Sequence, residues 1–292
     1  MIRSLLFLPG NNPAMLMNGD ILGADAIILD LEDAVSPDEK DAARILVRNA
    51  ISTLGYPGVI KIVRINSIAD DGHWLRDIEA VVPLGIDAVM PTKVRDASYI
   101  AEIAVAMRAA EAHAGNELGC TKIVPLLETA QGIENAFSIA RSEPRVSALY
   151  LGAEDLTADL RCQRTKEGNE IFWARSRLLC AARAAGIAAF DTPFTDVDDL
   201  DGLEKDARVA KALGYSGKAV ISPRHVGIVN AMFSPTAAEI DYALEVVAAI
   251  EEGKAKGRGA VSLRGKMIDA PIVLRARQVL EAGQAMKGGV RQ

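Results

Sequence analysis

Short β-rich runs alternate with helical patterns along the whole chain, at a spacing of roughly thirty residues, and this alternation leaves few folds open. The runs lie near residues 3–8, 25–31, 59–65, 86–91, 121–127, 147–152, 187–191 and 218–222. Turn chemistry follows them: Ser36-Pro37 opens a helix over 37–53, Thr129 caps one over 130–141, and Ser222-Pro223 opens a short eighth helix. Strands joined through helices must run parallel, and eight of them close a (β/α)8 TIM barrel. An open doubly wound sheet is the competing architecture. It would need a Gly-rich dinucleotide fingerprint after a strand, and Gly152 alone does not make one.

The barrel is expected to occupy residues 1–235 and to carry the active site, leaving 236–292 as a C-terminal helical extension. Within the extension the pattern predicts a helix over 237–256, a Gly-rich basic loop over 257–266, and a last helix over 271–287 opened by Pro271. A minimal barrel has no use for such a segment, so it should cover the barrel mouth or a neighbouring subunit. A homo-oligomer, trimer or hexamer, is the expectation. A 50% hydrophobic content suffices for a large core. The net charge of −6, with no basic run, speaks against nucleic-acid binding. The apolar stretch after Arg3 is too short for a membrane span or a secretory leader. Cys120, Cys162 and Cys180 have neither ligand-like nor framework spacing, which suits a reduced, cytoplasmic chain.

Barrel chemistry gathers at the C-terminal ends of the strands. Those ends read Pro9-Gly10-Asn11-Asn12, Asp30-Leu31-Glu32-Asp33, Arg64-Ile65-Asn66, Pro91-Thr92-Lys93, Glu128, Glu154-Asp155, Asp191-Thr192 and Ser222-Pro223-Arg224. Glu128 and Asp155 end successive strands, so they emerge side by side. Two oxygen ligands with open positions suit Mg²⁺, which keeps several waters and accepts substrate oxygens. The alternative is that each caps or ion-pairs its own helix. Arg64 has the planar fork that grips a substrate carboxylate, or it neutralises Asp30 or Glu32. Alternation puts Asp30 and Glu32 on one face, as partners of metal waters or of Arg64 more than as ligands. Lys93 is a substrate-binding candidate, or a rim charge that attracts anions. His73, His113 and His225 have unrelated spacings and read as structural or solvated. Asp269, before Ala270-Pro271, reads on physics alone as an N-cap, a role that stabilises by about 1 kcal/mol.

Five segments in register then carry a resemblance: Arg3-Ser4-Leu5-Leu6-Phe7-Leu8-Pro9-Gly10, Asp30-Leu31-Glu32-Asp33-Ala34-Val35, Val63-Arg64-Ile65-Asn66, Leu151-Gly152-Ala153-Glu154-Asp155-Leu156 and Gly265-Lys266-Met267-Ile268-Asp269-Ala270-Pro271. Together they resemble the citrate lyase β family and its malyl-CoA and citramalyl-CoA lyase relatives, from the first strand to the last helix. The resemblance implies a Mg²⁺-dependent lyase acting on a 3-hydroxyacyl thioester, giving oxaloacetate and an acetyl thioester where the substrate is citryl. It makes Glu128 and Asp155 the metal ligands and lays Arg64 and Glu128 against the keto acid. It also makes Asp269 an acid/base group, often delivered across a subunit interface. Acyl-carrier and transferase subunits are implied partners. Ser222 and His225 depart from several relatives, while Phe190-Asp191-Thr192-Pro193-Phe194 and Thr165-Lys166-Glu167-Gly168 resemble citrate lyase β more than the malyl-CoA lyases. A stand-alone lyase or synthase for another short 3-hydroxyacyl-CoA, and a non-catalytic keto-acid-binding or scaffold barrel, are the alternatives.

Overall fold

The computed structural model describes residues 1–69, 72–255, 257 and 259–288. The chain runs β1 (Ser4–Pro9), α1 (Pro13–Met17), β2 (Ala26–Asp30), α2 (Lys40–Leu54), β3 (Ile60–Ile65), α3 (His73–Val81), β4 (Ala88–Pro91) and α4 (Ala97–Ala114). It continues through β5 (Lys122–Ile123), β6 (Leu126–Leu127), α5 (Ala130–Glu134), α6 (Ala136–Ala140), β7 (Ala148–Leu151), α7 (Ala153–Asp159), α8 (Phe172–Ala185), β8 (Ala188–Asp191), α9 (Leu200–Leu213), β9 (Gly217–Val220) and α10 (Pro223–Phe233). It ends with α11 (Ala237–Ala255), the β10 (Val261–Leu263) and β11 (Lys266–Ile268) hairpin, and α12 (Ala270–Gly288).

The first nine strands are all parallel, in the order β5-β4-β3-β2-β1-β9-β8-β7-β6. β5 and β6 are two halves of the expected fifth strand, parted at Val124-Pro125. Proline brings no N–H to the ladder, so regular pairing lapses there. The stretch still joins both neighbours: Val124 N–H donates to Val89 O on one side, and Tyr150 N–H to Pro125 O on the other. The sheet thus closes on itself as a (β/α)8 barrel. The expected 130–141 helix is also split, into α5 and α6 at Asn135, and a 3₁₀ turn (Pro37–Glu39) precedes α2.

Side chains alternate between the barrel interior and the helix layer. Leu5, Ile28, Ile62, Met90, Leu126, Tyr150 and Phe190 are among those filling the interior. Counting on by two from these rows reaches Phe7, Asp30, Arg64, Thr92, Glu128 and Gly152, so the same periodicity that builds the core sets the inward positions of one rim. On the outer face of β8 and β9, Arg175, Asp191, Asp206 and Lys218 form a buried ion cluster between sheet and helices.

The chain divides into two compact units, Ile2–Asn230 and a second beginning at Ala231. In the second, α11 and α12 pack around Ala243, Val246, Ile250, Ile268, Val273 and Ala276. The expected Gly-rich loop is partly a two-stranded hairpin, because Arg264-Gly265, both with positive φ, form a tight turn between β10 and β11. The last residue assigned to the 237–256 helix lies outside the described residues. Among the described residues, no helix is long and apolar enough to cross a membrane.

Candidate active site

Glu128 follows β6 and Asp155 lies in the first turn of α7, directly after β7. The pairing Leu127↔Leu151 and the bond from Gly152 N–H to Leu127 O (3.0 Å) fix these two ends beside each other. Gly152 makes the approach possible: a Cβ there would sit 2.7 Å from Glu128 Oε2. Glu128 is buried, and its Oε1 accepts the Lys93 N–H at 2.7 Å. Burial first, then the neighbouring charge of Asp155, pushes its carboxyl up to about 8. Glu154 turns away toward Arg164 (3.5 Å), whereas Asp155 Oδ2 faces the Lys93 ammonium at 3.7 Å.

Arg64 pairs with the neighbouring acids, as the second of its two readings expected. Its Nε donates to Asp30 Oδ1 (2.6 Å) and its Nη2 to Asp30 Oδ2, while Nη1 lies 3.1 Å from Glu32 Oε2 and 3.6 Å from Asp33 Oδ2. The guanidinium stacks over Phe7, 5.1 Å from the ring centroid. Burial opposes its charge, but the carboxylates of Asp30, Glu32 and Asp33 outweigh burial and hold the pKa above its usual value. Glu32 is buried, and burial raises its pKa despite Arg64 and Lys93. The Lys93 ammonium lies 2.6 Å from Glu32 Oε1 and 3.7 Å from Asp33 Oδ1. Lys40 Nζ donates to the carbonyls of Leu31 (2.9 Å) and Glu32 (2.7 Å), fixing the loop that carries these acids. A polar cavity of about 590 Å³ adjoins the cluster, bounded by Glu32, Asp33, Lys40, Asn66, His73 and Lys93.

The structure therefore brings Asp30, Glu32, Arg64, Lys93, Glu128 and Asp155 to one rim. Five carboxylates, counting Asp33, face the cations of Arg64 and Lys93, an excess of negative charge with an all-oxygen donor set. No cage of three or more His, Cys, Asp or Glu ligands exists among the described residues. Two carboxylates with the remainder left to water and substrate fit Mg²⁺ better than a self-sufficient protein site. Asp269 belongs to the second unit, where its Oδ1 accepts from Ile272 N–H (3.4 Å) as an N-cap of α12.

Like Glu154, Asp191 is a strand-end acid that does not join. Phe190 faces the barrel interior, so Asp191 faces the helices and binds Arg175 and Lys218. His225 is buried with Nε2 against Val197 O, and His73 Nδ1 meets Arg44, both structural settings. Sequence reasoning missed Asp33, Phe7 and the room made by Gly152. The period-two count pointed Asp33 away from Glu32's face, but residues 31–36 leave the strand and the count lapses there.

Residues 3–223 match the family model described as HpcH/HpaI aldolase/citrate lyase. The chain is 44% identical over 283 residues to the citrate lyase subunit beta of Leuconostoc mesenteroides subsp. cremoris, covering 97% of this chain and 93% of that one. Among solved structures, the protein CitE from Mycobacterium tuberculosis in complex with magnesium, acetoacetate and coenzyme A aligns with a TM-score of 0.80 at 29% identity, over 97% of this chain and 98% of that one. The citrate lyase beta subunit complexed with oxaloacetate and magnesium from M. tuberculosis aligns with a TM-score of 0.67 at 30% identity, over 80% and 96% of the two chains. On sequence, barrel topology and extent of match alike, this chain belongs to the HpcH/HpaI aldolase/citrate lyase family.

Proposed function

We propose that the chain is a Mg²⁺-dependent carbon–carbon lyase that cleaves a citryl thioester to oxaloacetate and an acetyl thioester. The observation that carries this reading is the convergence of Glu128 and Asp155 on adjacent strand ends beside Arg64 and Lys93. It is supported by the 44% identity to a citrate lyase beta subunit and by the magnesium and oxaloacetate in the M. tuberculosis relative.

In this reading Glu128 and Asp155 hold the ion, which when bound supplies Lewis-acid stabilisation of the substrate oxygen on which negative charge develops. Arg64 keeps one guanidinium edge on Asp30 and offers its remaining N–H groups to the keto-acid carboxylate, orienting the bond that breaks. Lys93 adds a positive charge for the same anion. As the carbon–carbon bond breaks, the 3-hydroxyl loses its proton to solvent and becomes the keto-acid carbonyl, the bonding pair stays on the thioester's α-carbon, and Asp269 in its acid form protonates that carbon and regains its proton from solvent. In condensation the same carboxylate removes the proton. The residues outside the barrel act by serving a neighbouring subunit in a homo-oligomer. Acyl-carrier and transferase subunits are the partners of the citrate lyase reading. The complex of the CitE relative with coenzyme A supports a second reading, a stand-alone enzyme acting on a CoA thioester. The setting is the cytoplasm, consistent with three exposed free cysteines.

The test is turnover on citryl-, malyl- and citramalyl-CoA and on a carrier-protein citryl thioester, with Mg²⁺ and with chelator. Chelator-sensitive release of oxaloacetate from a citryl thioester is expected. Cleavage confined to another member would reassign the substrate, and inactivity on all four would favour a binding role. Glu128→Ala is expected to abolish Mg²⁺-dependent oxaloacetate binding in calorimetric titrations. Asp269→Asn should leave that binding intact and slow turnover by a factor on the order of 10² to 10⁴.

A further inference from the structure

Lys93 commits both its backbone and its side chain to the acidic rim. Its φ of +53° lies in the left-handed region that residues with a Cβ rarely adopt. Such a conformation persists only where the surroundings hold it, and it concentrates at functional positions. Here Thr92 is buried and its carbonyl is held by Tyr99 Oη at 2.9 Å, which anchors the turn from beneath. The turn aims the Lys93 N–H at Glu128 Oε1 (2.7 Å) while its ammonium reaches Glu32 Oε1 (2.6 Å) and stands 3.7 Å from Asp155 Oδ2. One residue therefore touches both carboxylates assigned to the metal, the first through its backbone and the second through its charge.

We propose that Lys93 makes metal binding conditional on the anionic substrate, an inference that rests on Glu128 and Asp155 being the metal ligands. A fixed ammonium beside Asp155 repels an incoming dication and competes with it for the same oxygens. A keto-acid carboxylate arriving with the ion pairs with that ammonium and offsets the repulsion. Metal and keto acid then strengthen each other's binding by a common factor, as linkage requires. The backbone N–H, meanwhile, holds Glu128 in place whichever ligand is present. Lys93 is in these terms a positioning residue with respect to the metal.

The experiment is calorimetric titration of Mg²⁺ alone, oxaloacetate alone and each in the presence of the other, on the wild type, Lys93→Met and Lys93→Gly. Glycine retains the N–H and favours the left-handed backbone, so it removes the charge with least disturbance of the fold. Both variants are expected to bind Mg²⁺ alone more tightly, by about tenfold for a half-exposed charge, and to lose a similar factor of metal–keto-acid coupling. Thermal melting gives an independent readout. Without divalent metal both variants should melt below the wild type, and saturating Mg²⁺ should raise their midpoints by more than it raises the wild type's. Equal or weaker Mg²⁺ affinity in both variants would overturn the proposal while leaving the metal site standing. A wild type that binds no divalent ion even with oxaloacetate present would instead overturn the metal assignment, and this proposal with it.

Discussion

At the scale of single residues, Glu128 links the fold's stability to pH. Its carboxyl is pushed up to about 8, by burial and then by Asp155, from an ordinary value of 4.5. The folded chain thus keeps a proton that the unfolded chain releases above pH 4.5, and ionising this group in place opposes folding. The sign follows: without divalent metal, stability should decline as pH rises from about 4.5 to about 8 and level off beyond. Glu128→Gln should flatten that part of a melting-temperature profile, and an unchanged slope would assign it to other groups. At pH 7, Mg²⁺ binding should release close to one proton, read from calorimetry in buffers of different ionisation enthalpy. Tyr150 makes the opposite kind of prediction. Its hydroxyl is buried inside the barrel and has no hydrogen-bond partner among the described residues, and burial pushes its pKa well up. Tyr150→Phe keeps the edge-to-face contact with Phe7 and should leave stability unchanged or raise it by up to about 1 kcal/mol in denaturant titration.

Among the elements, β8 and β9 are held to their helices by charge. Lys218 Nζ contacts Asp191 (2.7 Å), Asp206 (2.6 Å) and the Thr192 carbonyl (2.6 Å), while Arg175 binds the same two carboxylates from α8. Lys218→Met leaves two buried acids sharing one cation, and a loss of roughly 3–5 kcal/mol is expected by urea unfolding. A loss below about 1 kcal/mol would mean that Arg175 alone suffices. This cluster also marks where sequence reading stops. All eight expected strand positions are occupied, because β-rich runs at regular spacing are a local signal. The side of the sheet on which a strand-end acid emerges is local too: counting by two places Asp30, Arg64 and Glu128 inward. Two features defeat that count. Loop residues such as Asp33 follow no period, and a partner distant in sequence, such as Arg175 for Asp191, leaves no trace at its own position. The interruption at Pro125 is visible as a proline, but its effect on the ladder depends on which neighbouring strand's carbonyl is left without a donor.

For the whole molecule, the residues proposed for catalysis fall in two compact units, Glu128 and Asp155 in the barrel and Asp269 in the C-terminal unit. If Asp269 serves a neighbouring protomer, mixing Glu128→Ala and Asp269→Asn subunits under exchange conditions should restore turnover that neither variant has alone. No restoration, with exchange verified, would place each complete site within one chain. The closed sheet has a further effect on the barrel side. Glu128 directly follows β6 and Asp155 lies in the first turn of α7, just after β7, and the ends of these two strands are tied by the Leu127↔Leu151 pairing and by Gly152 N–H to Leu127 O. The two carboxylates are therefore rooted in a pair of strand ends held at the interstrand spacing of about 4.8 Å, a length set by hydrogen-bond geometry. Breathing of loops elsewhere on the barrel leaves those roots untouched. Changes in the other loops of this rim are free to reshape the space around the two carboxylates without moving their roots.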